Sequence, residues 1–526
     1  MTANEIHAPM LTPRVMFEAL HRYHDRPCLV MGERVVTYSD MRRSTSRYMQ
    51  ALASKGLTKG SRIAVLSGNR PEVLFNSAAS TMAGCCSTAL HPLGSLDDHA
   101  YILQDGGFEA LVFEPNAYGE RARALRDRVP GLKLLLSFGP TEGAVDYCAL
   151  ADGFEPAPLQ VADVLATDLH SVTYTGGTTG RPKGVRHTFG SVAYMTMVQA
   201  SDWEFPDEFR FLVATPLSHA AGAIFVPALE RGGSMHVLAP FTPDGFFDMV
   251  EKSRITATLL VPSMIYPLLD SPRAATANLS SLETLFYGAS PMSPARLEEG
   301  LRKWGRKFFQ FFGQAEAPMA ITYMGRHDHD LERTGRLASC GRPSPWVRIA
   351  LLDDRDEPVG QDESGEICVR APLVMEGYHG QPEQTAKAFT GGWHHTGDVG
   401  RFDEDGFLYI VDRKKDLIIT GGFNVFPREV EDVLSAHPKV AQVAVIGVPD
   451  ERWGESVKAV VVLRPGESPS DALAAELKAV VKDAKGSVYA PKSVDFVDAI
   501  PLSAVGKPDK KVLRSRYWGD RERSVN

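Results

Sequence analysis

Short apolar runs rich in β-branched residues alternate with helix-period stretches over roughly the first 400 residues, a pattern that predicts parallel strands covered by helices. The runs are RIAVLSG (62–68), EALVFEP (109–115), SVTYTGG (171–177), FRFLVATP (209–216), ATLLVPS (257–263) and ETLFYGAS (283–290). Between the first two, NRPEVLFNSAASTMAG (69–84) predicts a helix, with Asn69 as its N-cap ahead of Pro71 and Gly84 as its stop. From about Trp346 the texture shifts to shorter strands with Gly- and Asp-rich turns, WVRIALLDD, GEICVR and DEDGFLYIVDR, which predict a small β subdomain. After Arg413 a compact α+β stretch follows. FPREVEDVLSAHP predicts a helix with Pro427 in its first turn, and Leu473, Leu477, Val480, Val481 and Ala484 mark the apolar stripe of another. The expected fold is α/β. A large N-terminal domain, residues 1–412, holds stacked α/β subdomains and the β subdomain, and a small α+β C-terminal domain covers residues 413–526.

The composition of the 526 residues, 44% hydrophobic and 23% charged, is that of a globular chain with ample core. The charge sum is −8 with neither sign in a long block, which disfavours a nucleic-acid groove. The opening segment MTANEIHAPMLTP has neither a basic start nor an apolar core, and the most apolar run, residues 256–269, is interrupted by Pro262 and Pro267. The expectation is no signal peptide, no transmembrane segment and a cytoplasmic protein. Six cysteines without a CxxC pair predict reduced thiols and no zinc site. Vicinal Cys85 and Cys86 are expected to be buried packing, and HDHD (327–330) a solvated turn.

The richest segment for chemistry is TYTGGTTGRPKGVRHT, Thr173 to Thr188. Its four glycines permit close backbone approach, its threonines offer hydroxyl donors and Lys183 offers a positive charge, a set suited to a polyphosphate. The order PKG differs from the GK followed by Ser or Thr of a Walker loop.

TGGTTGRPKG (175–184) resembles the signature loop of the adenylate-forming superfamily, which includes acyl-CoA synthetases, luciferase-like enzymes and adenylation domains of peptide synthetases. Further segments resemble that family's motifs in its order: PLSHAAG (216–222), YGAS (287–290), QFFGQAE (310–316), WHHTGD (393–398), DRKKDLIITGGFNVFPREVE (412–431) and PLSAVGK (501–507). The resemblance implies an ATP-dependent ligase that converts a carboxylic acid to acyl-AMP and passes it to CoA, with ATP, Mg²⁺ and CoA as cofactors. It also implies a fatty, aromatic or alicyclic acid as substrate. The alternatives are a ligase that stops at the adenylate or loads an acyl carrier protein, and a non-catalytic nucleotide-binding protein on the same fold. Oligomeric state is open.

Carried onto this chain, the resemblance makes Lys507 the catalytic lysine, Glu316 the Mg²⁺ carboxylate and His219, with Gly222, the border of the carboxylate and acyl pocket. The ATP side would be Thr175, Gly176, Gly177, Thr178, Thr179 and Lys183, then Gly288, Ala289 and Ser290, then Gln310, Phe312, Gly313 and Gln314, with Asp398 and Arg413 on the ribose. Lys415 would be the pivot of a mobile C-terminal domain that presents Lys507 and then Gly421 and Gly422, which face CoA. The sequence departs from the family's YGxTE at Phe312 and Ala315. The ring of Phe312 still serves for stacking on adenine. Ala315 lacks the hydroxyl, so a phosphate contact is expected to be missing or supplied by Gln314, Thr178 or Thr179. HAAGA (219–223) shows no counter-charge for an amino-acid ammonium, and its small side chains would leave room for a bulky acyl group.

Overall fold

The computed structural model describes residues 9–175, 181–360, 362–413, 416–421, 423–502 and 508–518. Two large sheets form the N-terminal part. In the nine-stranded sheet the central strands Phe308–Phe312, Thr284–Tyr287, Ala257–Leu260, Arg210–Val213, Ser234–Val237 and Pro27–Met31 run parallel, with antiparallel strands at both edges. In the eight-stranded sheet Leu169–Thr175, Cys86–Ala89, Arg62–Leu66, Ala110–Phe113, Leu134–Ser137 and Val145–Asp146 are parallel. The helical cover predicted from the sequence is present, and the inner strands Ala110–Phe113, Ala257–Leu260 and Thr284–Tyr287 are buried on both faces. A four-stranded antiparallel sheet follows, ending with Leu408–Arg413. The small C-terminal domain is a sheet built on the long hairpin Val440–Asp450 and Gly454–Leu463, covered by the helices Pro427–Ser435 and Asp471–Lys485.

Several local expectations shift. The predicted helix is present over Pro71–Met82, one residue later than an Asn69 cap would start it, and its N-cap is Arg70 with no side-chain cap. The Asn69 amide instead spans the loop after Arg210–Val213, donating to the Thr215 carbonyl (3.0 Å) and accepting from the Leu217 N–H (2.8 Å). Of the predicted stripe on Asp471–Lys485, Leu473, Leu477 and Val481 are buried and Val480 half-buried, whereas Ala484, in the last turn, is exposed. Cys85 and Cys86 are buried as expected, and burial pushes their thiols up to about 12 and about 11, so both stay protonated. No described helix is long and apolar enough to cross a membrane.

The sheet geometry places the candidate chemistry. In open parallel sheets ligands gather beyond the carboxyl ends of the strands. The loops after Arg210–Val213, Thr284–Tyr287 and Phe308–Phe312 therefore share one rim, and they carry PLSHAAG, YGAS and FGQAE.

Candidate active site

The glycine-rich loop joins two antiparallel strands, Leu169–Thr175 and Lys183–Thr188, with Thr175 directly opposite Lys183. Thr175 and Lys183 thus stand together at the hairpin's mouth. Gly176, Gly177, Thr178 and Thr179 lie outside the described residues. The Lys183 ammonium donates to Gln384 Oε1 and sits 5.0 Å above the ring of Tyr378. The Tyr378 hydroxyl donates to Glu316 Oε1 (2.9 Å). Burial, and then the Glu316 charge, hold the Tyr378 phenol well above its ordinary value, so it remains a donor. One tyrosine therefore joins the lysine predicted for phosphate to the carboxylate predicted for the metal. Neither Tyr378 nor Gln384 was foreseen from the sequence.

On the adenine side, Gly288 is required sterically, since a Cβ there would lie 2.4 Å from the Phe311 carbonyl oxygen. Ala289 follows at φ +65, and Ala289 and Ser290 are half-buried. The Tyr287 hydroxyl lies 3.2 Å from Oε1 of buried Gln310 and 3.0 Å from Nε2 of His329. His329 is fully buried, donates from Nδ1 to the Gly325 carbonyl (2.8 Å) and is held near pKa 4 by burial. HDHD is thus not a solvated turn throughout: His327 is exposed, while His329 anchors the strand end that carries the YGAS loop. Beneath Phe312, the Trp203 ring meets Phe286, Phe309 and Phe311 at 4.9, 5.6 and 4.9 Å. This aromatic layer fixes the strand from which half-buried Phe312 projects.

The turn after Phe312 is equally constrained. A Cβ on Gly313 would lie 2.2 Å from the Met319 nitrogen, and Gln314 and Ala317 exchange backbone bonds of 3.0 and 3.2 Å. The Gln314 amide donates to Asp398 Oδ2 (2.8 Å) and to the Thr396 carbonyl (2.9 Å). It is therefore committed to the predicted ribose carboxylate, and the expectation that Gln314 replaces the missing Thr hydroxyl toward phosphate gives way to this role. The Ala315 carbonyl accepts from His187 Nε2 (2.7 Å), whose imidazole burial keeps neutral. Asp398 is 4% exposed and lies across from Arg413 in the strand register.

On the carboxylate side, His219 is half-buried, with Nδ1 2.8 Å from Ser218 Oγ and its ring 4.7 Å, edge to face, from that of His91. The smallness of Gly222 has a backbone cause, because a Cβ would lie 2.3 Å from the Leu217 carbonyl oxygen. The backbone thus requires glycine at 222, whatever room the small residues of HAAGA leave for an acyl group.

From the C-terminal domain, Lys415, Gly422 and Lys507 lie outside the described residues. The described residues on either side of 503–507 meet through a bridge between Leu502 and Pro508 and through Asp509 N–H on the Pro501 carbonyl (2.7 Å). The following helix, Lys510–Trp518, is tied back by Arg514 to Asp416 (2.9 Å) and Lys510 to Glu431 (2.7 Å). Gly421 is exposed at φ +58, where a Cβ would lie 2.3 Å from the Trp453 ring. The domains touch through Ser293 and Ser435 (2.8 Å), Arg428 on the Ala338 carbonyl (3.2 Å) and Arg464 near Asp270 (3.6 Å).

The fold, of two unequal domains with Lys183 linked to Glu316 through Tyr378 and Asp398 buried beside Gln314, is that of an AMP-binding enzyme. The chain belongs to the AMP-binding enzyme family, whose sequence profile matches residues 16–379, and the profile of the AMP-binding enzyme C-terminal domain matches residues 429–507. Its similar relatives include the medium/long-chain-fatty-acid–CoA ligase FadD8 of Mycobacterium tuberculosis, 50% identical over 99% of this chain and 92% of that protein. They also include the fatty acid–[acyl-carrier-protein] ligase ScoC of Streptomyces coeruleorubidus, 32% identical over 99% of this chain and 100% of that one. The amide bond synthetase McbA of Marinactinospora thermotolerans superposes with a TM-score of 0.87 at 33% identity, covering 95% of this chain and 99% of its own.

Proposed function

We propose that this chain is an AMP-forming acyl-CoA synthetase whose preferred acid is a medium- or long-chain fatty acid, worked by the residues gathered at the rim of the two large sheets. The similarity to FadD8 over nearly the whole chain carries the choice of acid. A carboxylate is a poor electrophile, so its oxygen first attacks the α-phosphorus of ATP and pyrophosphate departs. The thiol of CoA then attacks the acyl carbonyl, and AMP leaves with the oxygen the acid contributed. Both steps build negative charge on oxygens, which preorganised cations and donors stabilise.

In this reading residues 1–412 receive ATP and the acid, and residues 413–526 bring Lys507 to the α-phosphate and then Gly421 and Gly422 to the pantetheine arm. Lys183 and the glycine-rich hairpin take the β- and γ-phosphates, Phe312 stacks on adenine, and Asp398, oriented by Gln314, accepts from the ribose hydroxyls. Glu316 would hold a magnesium ion, whose preference for hard oxygen ligands with retained water and phosphate oxygens fits a single carboxylate. Its charge would neutralise the phosphates. Tyr378 orients that carboxylate by donating to Oε1.

The test is AMP formation from ATP across fatty, aromatic and alicyclic acids, with and without CoA. The proposal expects CoA-dependent AMP release, fastest with medium- or long-chain fatty acids. Turnover with an acyl carrier protein and not with CoA would replace the acceptor, an outcome that the similarity to ScoC makes worth including. Preference for an aromatic acid would replace the substrate class.

A further inference from the structure

His219 comes from the nine-stranded sheet and His91 from the eight-stranded one, each in the loop beyond the carboxyl end of a parallel strand, Arg210–Val213 and Cys86–Ala89 respectively. The two loops differ in how they are held. The His219 loop is spanned by the Asn69 amide, and Ser218 Oγ lies 2.8 Å from His219 Nδ1. The His91 loop is braced at almost every residue. The His91 carbonyl accepts from Gly94 N–H (2.9 Å) and lies 2.9 Å from Nε2 of buried His99. The Pro92 carbonyl accepts from the Tyr118 hydroxyl (3.4 Å) and the Gly94 carbonyl from Arg121 (2.7 Å). A Cβ on Gly94 would lie 2.4 Å from His99 Nε2, so the loop admits only glycine there.

The His91 ring is oriented as firmly as its backbone. Its Nδ1 lies 3.0 Å from the Leu93 N–H, which can only donate. Nδ1 is therefore the acceptor, and in the neutral ring the proton sits on Nε2. Held in this way, the ring meets that of His219 edge to face at 4.7 Å, a geometry in which one ring's positive edge meets the other's negative face.

From this we infer that His91 is a positioning residue for the acid. A braced imidazole on one sheet fixes the His219 ring on the other, at the seam where the carboxylate is received. The inference rests on the reading that His219 borders that carboxylate. A seam between two sheets is where a half-reaction that closes around its substrate most needs a fixed reference, since each sheet positions its own loops independently. His91 supplies that reference through its ring contact with His219, and Asn69 through its bonds to Thr215 and Leu217.

The test uses the full chain and His91→Ala, His91→Asn, His91→Phe and His219→Ala, measured as separate KM values for acid and for ATP in acid-dependent pyrophosphate release. His91→Ala is expected to raise KM for the acid roughly five- to tenfold, the scale set by loss of one edge-to-face ring pair, with KM for ATP within about twofold. His91→Phe keeps the ring and should stay near the parent, because Leu93 is 82% exposed and water can take over its N–H. His91→Asn keeps an acceptor toward Leu93 but not the ring, and should resemble His91→Ala. An unchanged KM for the acid in His91→Ala, with His219→Ala impaired, overturns the inference alone. Rescue by His91→Asn and not by His91→Phe also overturns it, since the ring would then be dispensable. If His219→Ala too leaves KM for the acid unchanged, the reading of the carboxylate side falls with it.

Discussion

The two domains supply the site in contrasting ways. On the large domain the groups are fixed before any ligand arrives: Gly288 and Gly313 have no room for a Cβ, Gln314 is bonded to Asp398, and Tyr378 to Glu316. On the small domain Gly421 is exposed in a turn, and the described residues flanking 503–507 meet through Leu502 and Pro508 and through Asp509 and Pro501. Among the described residues the domains meet at Ser293, Arg428 and Arg464, among others, and bury separate cores. In the proposed function the large domain binds and the small domain delivers charge, the division expected where one site must serve two successive reactions.

The sharpest way to break the comparison is Lys507→Ala. Loss of a preorganised charge at the α-phosphate should lower the rate of adenylate formation by about 10²- to 10³-fold, with KM for ATP little changed, as read by acid-dependent pyrophosphate release. A comparable loss in the thioester step alone, assayed from preformed acyl-AMP, would show that the small domain's delivery has been assigned to the wrong half-reaction.

The large domain makes a prediction about pH. Burial holds His329 near pKa 4 against an ordinary 6.5, so the unfolded chain binds its proton first as pH falls. The contribution of neutral His329 is complete above about pH 6.5 and is lost progressively toward pH 4, by about 2 kcal/mol at pH 5. His329→Gln, with no proton to take up, should lose correspondingly less stability between pH 7 and pH 5 in urea unfolding. An identical loss in parent and variant would remove His329 from the account.

Gln314→Ala should raise KM for ATP by about tenfold, the cost of one hydrogen bond to a charged group, and leave KM for the acid unchanged. Ala315→Thr should have the smallest effect, improving kcat/KM for ATP by no more than a few-fold if the new hydroxyl reaches a phosphate oxygen. A loss instead would mean that the added atoms disturb the His187 bond to the residue 315 carbonyl.

Those predictions also mark where sequence reading reached and where it stopped. The loops announced themselves because their composition is local: glycines, hydroxyls and a lysine within ten positions suit a phosphate cradle. The α/β class followed from the alternation of short apolar runs with helical stretches, which reports only near-neighbour periodicity. Contacts between distant positions left no such trace. Lys183 and Gln384 are 201 residues apart and Tyr378 and Glu316 are 62 apart, so no spacing rule pairs them. Asn69 was misplaced because the amide that suits an N-cap equally suits a loop tie, and only the neighbouring strand decides between them. His329 was read as solvated from its charged neighbours, although alternate residues of a short turn can face opposite ways. Gly222 shows the same ambiguity for small residues, since absence of a side chain reads as space while the backbone contact that also requires it leaves no trace in the sequence.

The central claim is that the acid's own oxygen becomes bonded to the nucleotide. The most direct measurement supplies a fatty acid labelled with heavy oxygen in both carboxylate positions, together with ATP, magnesium and CoA, and weighs the AMP by mass spectrometry. The account predicts AMP carrying one labelled oxygen for each acyl-CoA formed. Unlabelled AMP accompanying acyl-CoA, or label in inorganic phosphate, would contradict it.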